Sequence, residues 1–193
     1  MVLKFSINLK FRVKNQIVYA ELQNTLINSF TFGIQKNEIM ARRIINNYQE
    51  FEALHGQVIG VSDYITITQE QINMFAEATL DFQWIHTNPE RAASESPFKT
   101  TIAHGYLTVS MLTYLWYNVV DVRNVKMIVN YGIENLRFQQ PVLVNDKIRA
   151  TVSLHEIKNL RGIAKIQVKI VVDIEGQKKP AYEALITFLY HFE

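Results

Sequence analysis

Two residue types in one short stretch could together handle a water molecule. Asp81 and His86 lie in the segment Ala78-Thr79-Leu80-Asp81-Phe82-Gln83-Trp84-Ile85-His86-Thr87-Asn88-Pro89. A carboxylate accepts hydrogen bonds and an imidazole titrates near neutrality, so the pair offers what general acid–base chemistry requires. A second dipeptide, His104-Gly105, stands where an apolar helical pattern begins. The first turn of a helix leaves backbone N–H groups unpaired at the positive end of its dipole. Such a donor at Gly105 suits a developing oxyanion. The same residues also have plain readings, Asp81 as a cap or turn residue and His86 as a solvated or satisfied ring; spacing alone leaves both open. His104 reads as structural, positioning the turn before the helix. Asp81, His86 and His104 could ligate zinc on paper, but without cysteine or a His-x-x-x-His pair no metal site is expected. His55, His155 and His191 have no partner pattern.

The elements that position these residues follow from periodicity. Thr68 with Gln71 three residues later forms a capping box, and Ile72, Phe75, Ala76 and Thr79 then mark one buried helical face. Residues 81–103 look irregular apart from a short helix at Pro89–Ser94, with Pro at its start. Residues 105–120 are apolar on every side, which predicts one long helix buried all round. Something has to wrap it. Strands that alternate with period two supply the wrapper: Lys147–Leu154, then Lys165–Asp173 after a turn at Asn159–Gly162, and a last strand through Ala184, Ile186, Phe188 and Tyr190. Glu175-Gly176 marks a hairpin turn. The strand near Tyr131–Phe138 shifts phase between Ile133 and Leu136, which predicts a bulge. Val58–Val61 and Ile65–Ile67 suggest one or two short strands. The sum is an α+β fold, an antiparallel sheet curled around one apolar helix.

Composition sets bounds. The chain of 193 residues is 48% hydrophobic and carries 20 Lys and Arg against 18 Asp and Glu. That suits one globular domain with an appendage. The absence of cysteine excludes disulfides, a thiol nucleophile and thiolate metal sites. No apolar run is long enough to span a membrane, and a reducing cytoplasm is the expected compartment. Residues 1–39 hold five Lys and Arg against two Glu, so the positive surplus lies there. The remainder has no basic stripe of the kind nucleic acid requires. Leu3–Val13 alternates as a half-buried strand, and Ile39, Met40, Ile44, Ile45, Tyr48 and Phe51 suit a helix. Met40 opens Met40-Ala41-Arg42-Arg43, a plausible translation start. The expected division is an N-terminal extension of residues 1–39 and a single domain of residues 40–193.

Residues from about 50 onward resemble the MaoC-like dehydratases, the (R)-specific enoyl-CoA hydratases of hotdog fold, in the branch that includes nodulation protein NodN. Phe75–Pro89 resembles the family's hydratase motif, with Asp and His five apart and a following Pro. Thr101-Ile102-Ala103-His104-Gly105-Tyr106-Leu107 resembles the start of its central helix, and Asn130-Tyr131-Gly132 to Phe138-Gln139-Gln140-Pro141-Val142 also matches. The resemblance implies reversible hydration of a trans-2-enoyl-CoA to an (R)-3-hydroxyacyl-CoA. Asp81 and His86 would hold the water, and the Gly105 N–H would polarise the thioester carbonyl. It implies a homodimer joined edge to edge, no metal or redox cofactor, and CoA only as part of the substrate. A hotdog thioesterase and a non-catalytic acyl-binding protein are the alternatives. The helix contains no acid before Asp121, which argues against the thioesterase. Two positions depart from the pattern. Leu80 replaces the Gly many hydratases carry before the Asp, and would be strained if φ there is positive. Gln83-Trp84 replaces Asn-Pro. Ser110 and Thr113 are both candidates for a helix hydroxyl that touches the site.

Overall fold

The computed structural model describes residues 7–13, 16–22 and 42–193. The chain divides into two compact units, Met1–Ile39 and Met40–Glu193. In the first, β1 (Ile7–Val13) and β2 (Gln16–Leu22) pair antiparallel, with Ile7 opposite Leu22. The alternation read from Leu3 to Val13 thus becomes a strand from Ile7; residues 3–6 lie outside the described residues.

The second unit departs at its start from the helix expected over residues 39–51. It holds a strand, β3 (Arg43–Ile45), followed by a five-residue helix, α1 (Tyr48–Glu52). Two local effects account for this. β3 pairs in parallel with β6 (Val120–Val122), which takes its backbone groups away from a helix. Asn47 then starts the helix afresh, its side chain accepting the Glu50 N–H at 2.9 Å.

Where one or two short strands are expected, two form, β4 (Val58–Val61) and β5 (Ile65–Thr66). Both bonds of the Thr68–Gln71 capping box form at the head of α2 (Gln69–Thr79). Ile72 and Ala76 are buried and Phe75 half-buried, while Thr79 faces solvent. Two short helices follow, α3 (Trp84–Thr87) and α4 (Pro89–Glu95). Asn88 both ends α3 and caps α4, accepting the Arg91 N–H at 2.9 Å with Pro89 in the first turn.

The apolar helix runs as α5 (Gly105–Ser110) and α6 (Leu112–Val119), interrupted at Met111. At the interruption the buried Tyr182 hydroxyl donates to the Thr108 carbonyl at 2.8 Å. Its inner face is fully enclosed. The Trp116 ring stacks between Phe51 and Phe188, with centroids at 6.3 and 5.6 Å, and its N–H donates to the Tyr190 hydroxyl at 2.6 Å. That bond lets the largest side chain of the core be buried without an orphaned donor. The expectation of burial on every side is corrected: Tyr106, Tyr114 and Tyr117 are 71%, 53% and 45% exposed. They recur at helical spacing with exposed Ser110, so one full face of the helix meets solvent in a single chain.

The sheet runs β4-β8-β9-β10-β7, with β5 also on β8, and every pairing in it is antiparallel. β8 (Lys147–Leu160), β9 (Ile163–Ile174) and β10 (Tyr182–Phe192) point alternate apolar side chains onto the helix. β7 (Val125–Phe138) is the edge strand. The bulge read from its phase shift is present, the register slipping opposite Glu183 and Leu185 with Asn135 at φ 55°.

Candidate active site

His86 stands on α3, in a stretch that reads as irregular from sequence. Its ring is 7% exposed. The orientation of the ring is fixed by the Ile102 carbonyl, 2.7 Å from Nδ1. Only a donor can face a carbonyl, so Nδ1 carries the proton and Nε2 is left with the lone pair. The backbone is held as well: Gln69, in the first turn of α2, donates from its amide to the His86 carbonyl at 2.8 Å, and the Thr101 hydroxyl donates to the same Gln69. Burial holds the imidazole below its ordinary pKa. The Ile102 bond works against that, neighbouring His104 reinforces it, and Asp81 opposes it. At neutral pH the ring is a neutral base with one free nitrogen.

Asp81 is exposed, and the chain reaches it through Leu80, which ends α2 at φ 61°, ψ 25°. Positive φ is therefore required at Leu80, the condition under which a leucine there is strained. The Asp81 carboxylate accepts weakly from the Gln83 N–H at 3.4 Å, and its carbonyl accepts from His104 Nε2–H at 3.0 Å. The His104 ring is 3% exposed and stacks on His86, with centroids 3.9 Å apart and planes inclined at 28°. A nitrogen or carboxylate oxygen from each of Asp81, His86 and His104 lies within 4.8 Å of the others. One water making two ~2.8 Å hydrogen bonds at a tetrahedral angle spans about 4.6 Å, so the cluster is compact enough for Asp81 and His86 to hold one between them. The set suits a cation poorly. Imidazole lone pairs lie in the ring plane, and two rings stacked nearly parallel send them side by side rather than to one point.

Gly105 opens α5, and its N–H donates to no acceptor among the described residues. A Cβ at Gly105 would come within 2.8 Å of the Phe138 ring, which Tyr106 and Tyr182 pack edge-on. Glycine is thus needed for close approach here. His86, Gly105, Thr108, Phe138 and Tyr182 line a cavity of about 450 Å³ whose walls are mostly apolar. None of the residues lining it is acidic.

Asp81, His86 and His104 meet as one cluster, and His86 and Gly105 share the cavity. The helix hydroxyl in that cavity is Thr108, rather than Ser110 or Thr113. It is buried and donates to the Gly105 carbonyl at 2.7 Å. Ser110 and Thr113 instead line a separate cleft with Asn130–Ile133. The signal was available in the helical period: Thr108 stands three residues after Gly105 and four after His104, on the same face.

The sequence profile of the MaoC-like domain matches residues 50–175. The chain is 44% identical over 140 residues to 3-hydroxyacyl-thioester dehydratase Z of Mycobacterium tuberculosis strain ATCC 25618 / H37Rv, covering 72% of this chain and 92% of that protein. It is 41% identical over 132 residues to nodulation protein N of Rhizobium leguminosarum bv. viciae, covering 67% and 81%. Among solved structures, R-hydratase PhaJ1 from Pseudomonas aeruginosa superposes with a TM-score of 0.56 over 71% of this chain and 83% of that one, at 20% identity. That last likeness is one of fold, and the fold is hotdog.

Proposed function

This chain belongs to the MaoC-like dehydratase family, and from that premise we propose that it is an (R)-specific enoyl-CoA hydratase. The observation that carries the proposal is the Asp81–His86 pair, with polar atoms within 4.8 Å of each other and with His86 and Gly105 lining one cavity. The water sits between the carboxylate and His86 Nε2. As its oxygen bonds to the β-carbon of a trans-2-enoyl thioester, its proton passes to the pair. Negative charge moves to the thioester oxygen, which accepts a hydrogen bond from the Gly105 N–H. The pair then gives a proton to the α-carbon, and the site returns to its starting state with H and OH added across the double bond. An oxyanion donor of this kind typically contributes about 3–4 kcal/mol. The reaction needs no metal or redox partner, and CoA enters only as the substrate's carrier.

Other features support a homodimer. β7 is fourteen residues long and sits at the sheet edge with Met127, Tyr131 and Ile133 exposed, beside the exposed tyrosine face of the helix. An edge of that length and hydrophobicity calls for cover. Sedimentation should give a dimer; a fully active monomer would remove this part of the reading.

The test is crotonyl-CoA, assayed with the full chain and with one starting at Met40, since every site residue lies after residue 40. Loss of enoyl absorbance with (R)-3-hydroxybutyryl-CoA on chiral chromatography is the expected result from both. The (S) product, free CoA as a thioesterase would release, or no reaction would each overturn it.

A further inference from the structure

We propose that His104 is a positioning residue for hydration: its Nε2–H sets where the Asp81 carboxylate stands, and its ring braces the His86 imidazole. The inference rests on the reading of Asp81 and His86 as the water-holding pair.

Asp81 has little else to hold it. Its side chain is exposed, its contact with the Gln83 N–H is long at 3.4 Å, and it follows a leucine in the left-handed region. The bond that ties it to a distant part of the fold is the one from His104 Nε2 to its carbonyl, at 3.0 Å and across 23 residues. His104 can bear that load because it is itself fixed. Its ring lies against Phe75, with centroids 5.1 Å apart, and against His86 at 3.9 Å. Its backbone leads directly into Gly105. One side chain thus references the carboxylate, the base and the oxyanion donor to each other. A shift of about 1 Å in such a group costs up to about 100-fold in rate.

The other nitrogen of the ring argues against a mere packing role. His104 Nδ1 is buried with no hydrogen-bond partner. An orphaned buried polar atom is a cost that phenylalanine would avoid at nearly the same volume and flatness. What phenylalanine cannot supply is the Nε2–H. The titratable groups acting on His86 are His104 and the Asp81 carboxylate, and the former works to keep the ring neutral.

The experiment compares His104→Phe and His104→Gln in the full-length protein. Phenylalanine keeps a flat ring between Phe75 and His86 but removes the donor; glutamine removes the ring but carries an amide N–H near the former Nε2. On crotonyl-CoA, His104→Phe should lower kcat about 10- to 100-fold with KM little changed. His104→Gln should recover most of that loss. In ¹⁵N-labelled protein the His86 titration midpoint should rise in His104→Phe. An unchanged kcat in a folded Phe variant, or an equal loss in folded Phe and Gln variants, overturns the proposal. If the Phe variant does not fold, a folded Gln variant as inactive as Asp81→Asn overturns it equally. Should the wild type not hydrate crotonyl-CoA while the His86 midpoint still moves, the hydratase reading falls and the bracing of His86 stands.

Discussion

Asp81 and His86 are five residues apart in sequence and share one site, yet the fold treats them in opposite ways. His86 is built in: buried, on a short helix, with its ring, backbone and tautomer each set by a named bond from Ile102 or Gln69. Asp81 is left out in solvent, reached through a strained leucine and tied by its own carbonyl rather than by its carboxylate. A base has to be neutral at working pH, and burial achieves that for an imidazole. The proposed reaction uses both groups, and the chain enters the pair through the left-handed residue at Leu80.

The largest effects should come from removing either partner, and the contrast lies in what else is lost. Asp81→Asn and His86→Gln should each reduce turnover on crotonyl-CoA by about 10²–10⁴-fold, the usual range for a positioned acid–base group. Their stabilities should differ. Asp81→Asn is nearly isosteric at an exposed position and should leave Tm within error. His86→Gln abandons the Ile102 carbonyl in a buried site, at a cost of about 1–3 kcal/mol. Thermal melts alongside kinetics test this. Equal melting temperatures would show that the two residues are not held differently, and near-normal turnover in either would remove it from the mechanism.

The two halves of this contrast were not equally visible in the sequence. Local signals were: the Thr68–Gln71 box, Pro89 after Asn88, the Gly176 turn and the β7 bulge all depend on neighbours in the chain. The spacing of Asp81 and His86, with Gly105 after His104, marked the site because the family resemblance attached roles to it. Pairing partners far away were not visible. β3 took a helical pattern because Val120–Val122 lies beside it, and α3 has only one turn, too short for a period to register. The all-apolar helix was expected to be covered on every side. Its exposed tyrosines show instead that an all-apolar pattern does not by itself say which faces one chain covers.

A smaller effect should appear in the pH dependence. The folded pKa of His86 lies below its ordinary value. The neutral form is required for proton uptake, so kcat/KM should stay flat from pH 7 down past about 6.5 and fall only at lower pH. Stability follows the same group. Between about pH 6.5 and the folded pKa the unfolded chain binds the proton more readily than the native state. Stability is therefore fully present above pH 6.5 and declines as pH falls through that window. A kinetic limb at or above 6.5, or a His86 resonance titrating there, would mean the ring is not as buried as Asp81 is exposed.

The smallest expected effect, and the sharpest on the comparison, is at Leu80. A left-handed backbone costs an L-residue about 1–2 kcal/mol. Glycine removes that cost but gives back roughly 0.5–1 kcal/mol in unfolded-state entropy. The leucine side chain is 79% exposed, so little burial is lost with it. Leu80→Gly should then stabilise by at most about 1.5 kcal/mol, a rise of no more than roughly 3–6 °C in Tm for a chain of this size. Leu80→Ala separates backbone from side chain, because it keeps the strain and removes only exposed carbons. In an isolated chain it should change nothing. If Leu80→Ala instead lowers Tm, and the loss grows on dilution, then Leu80 is covered by a second copy in solution. The open side of the site would then be a dimer surface, and Asp81 would owe its exposure to the single chain alone.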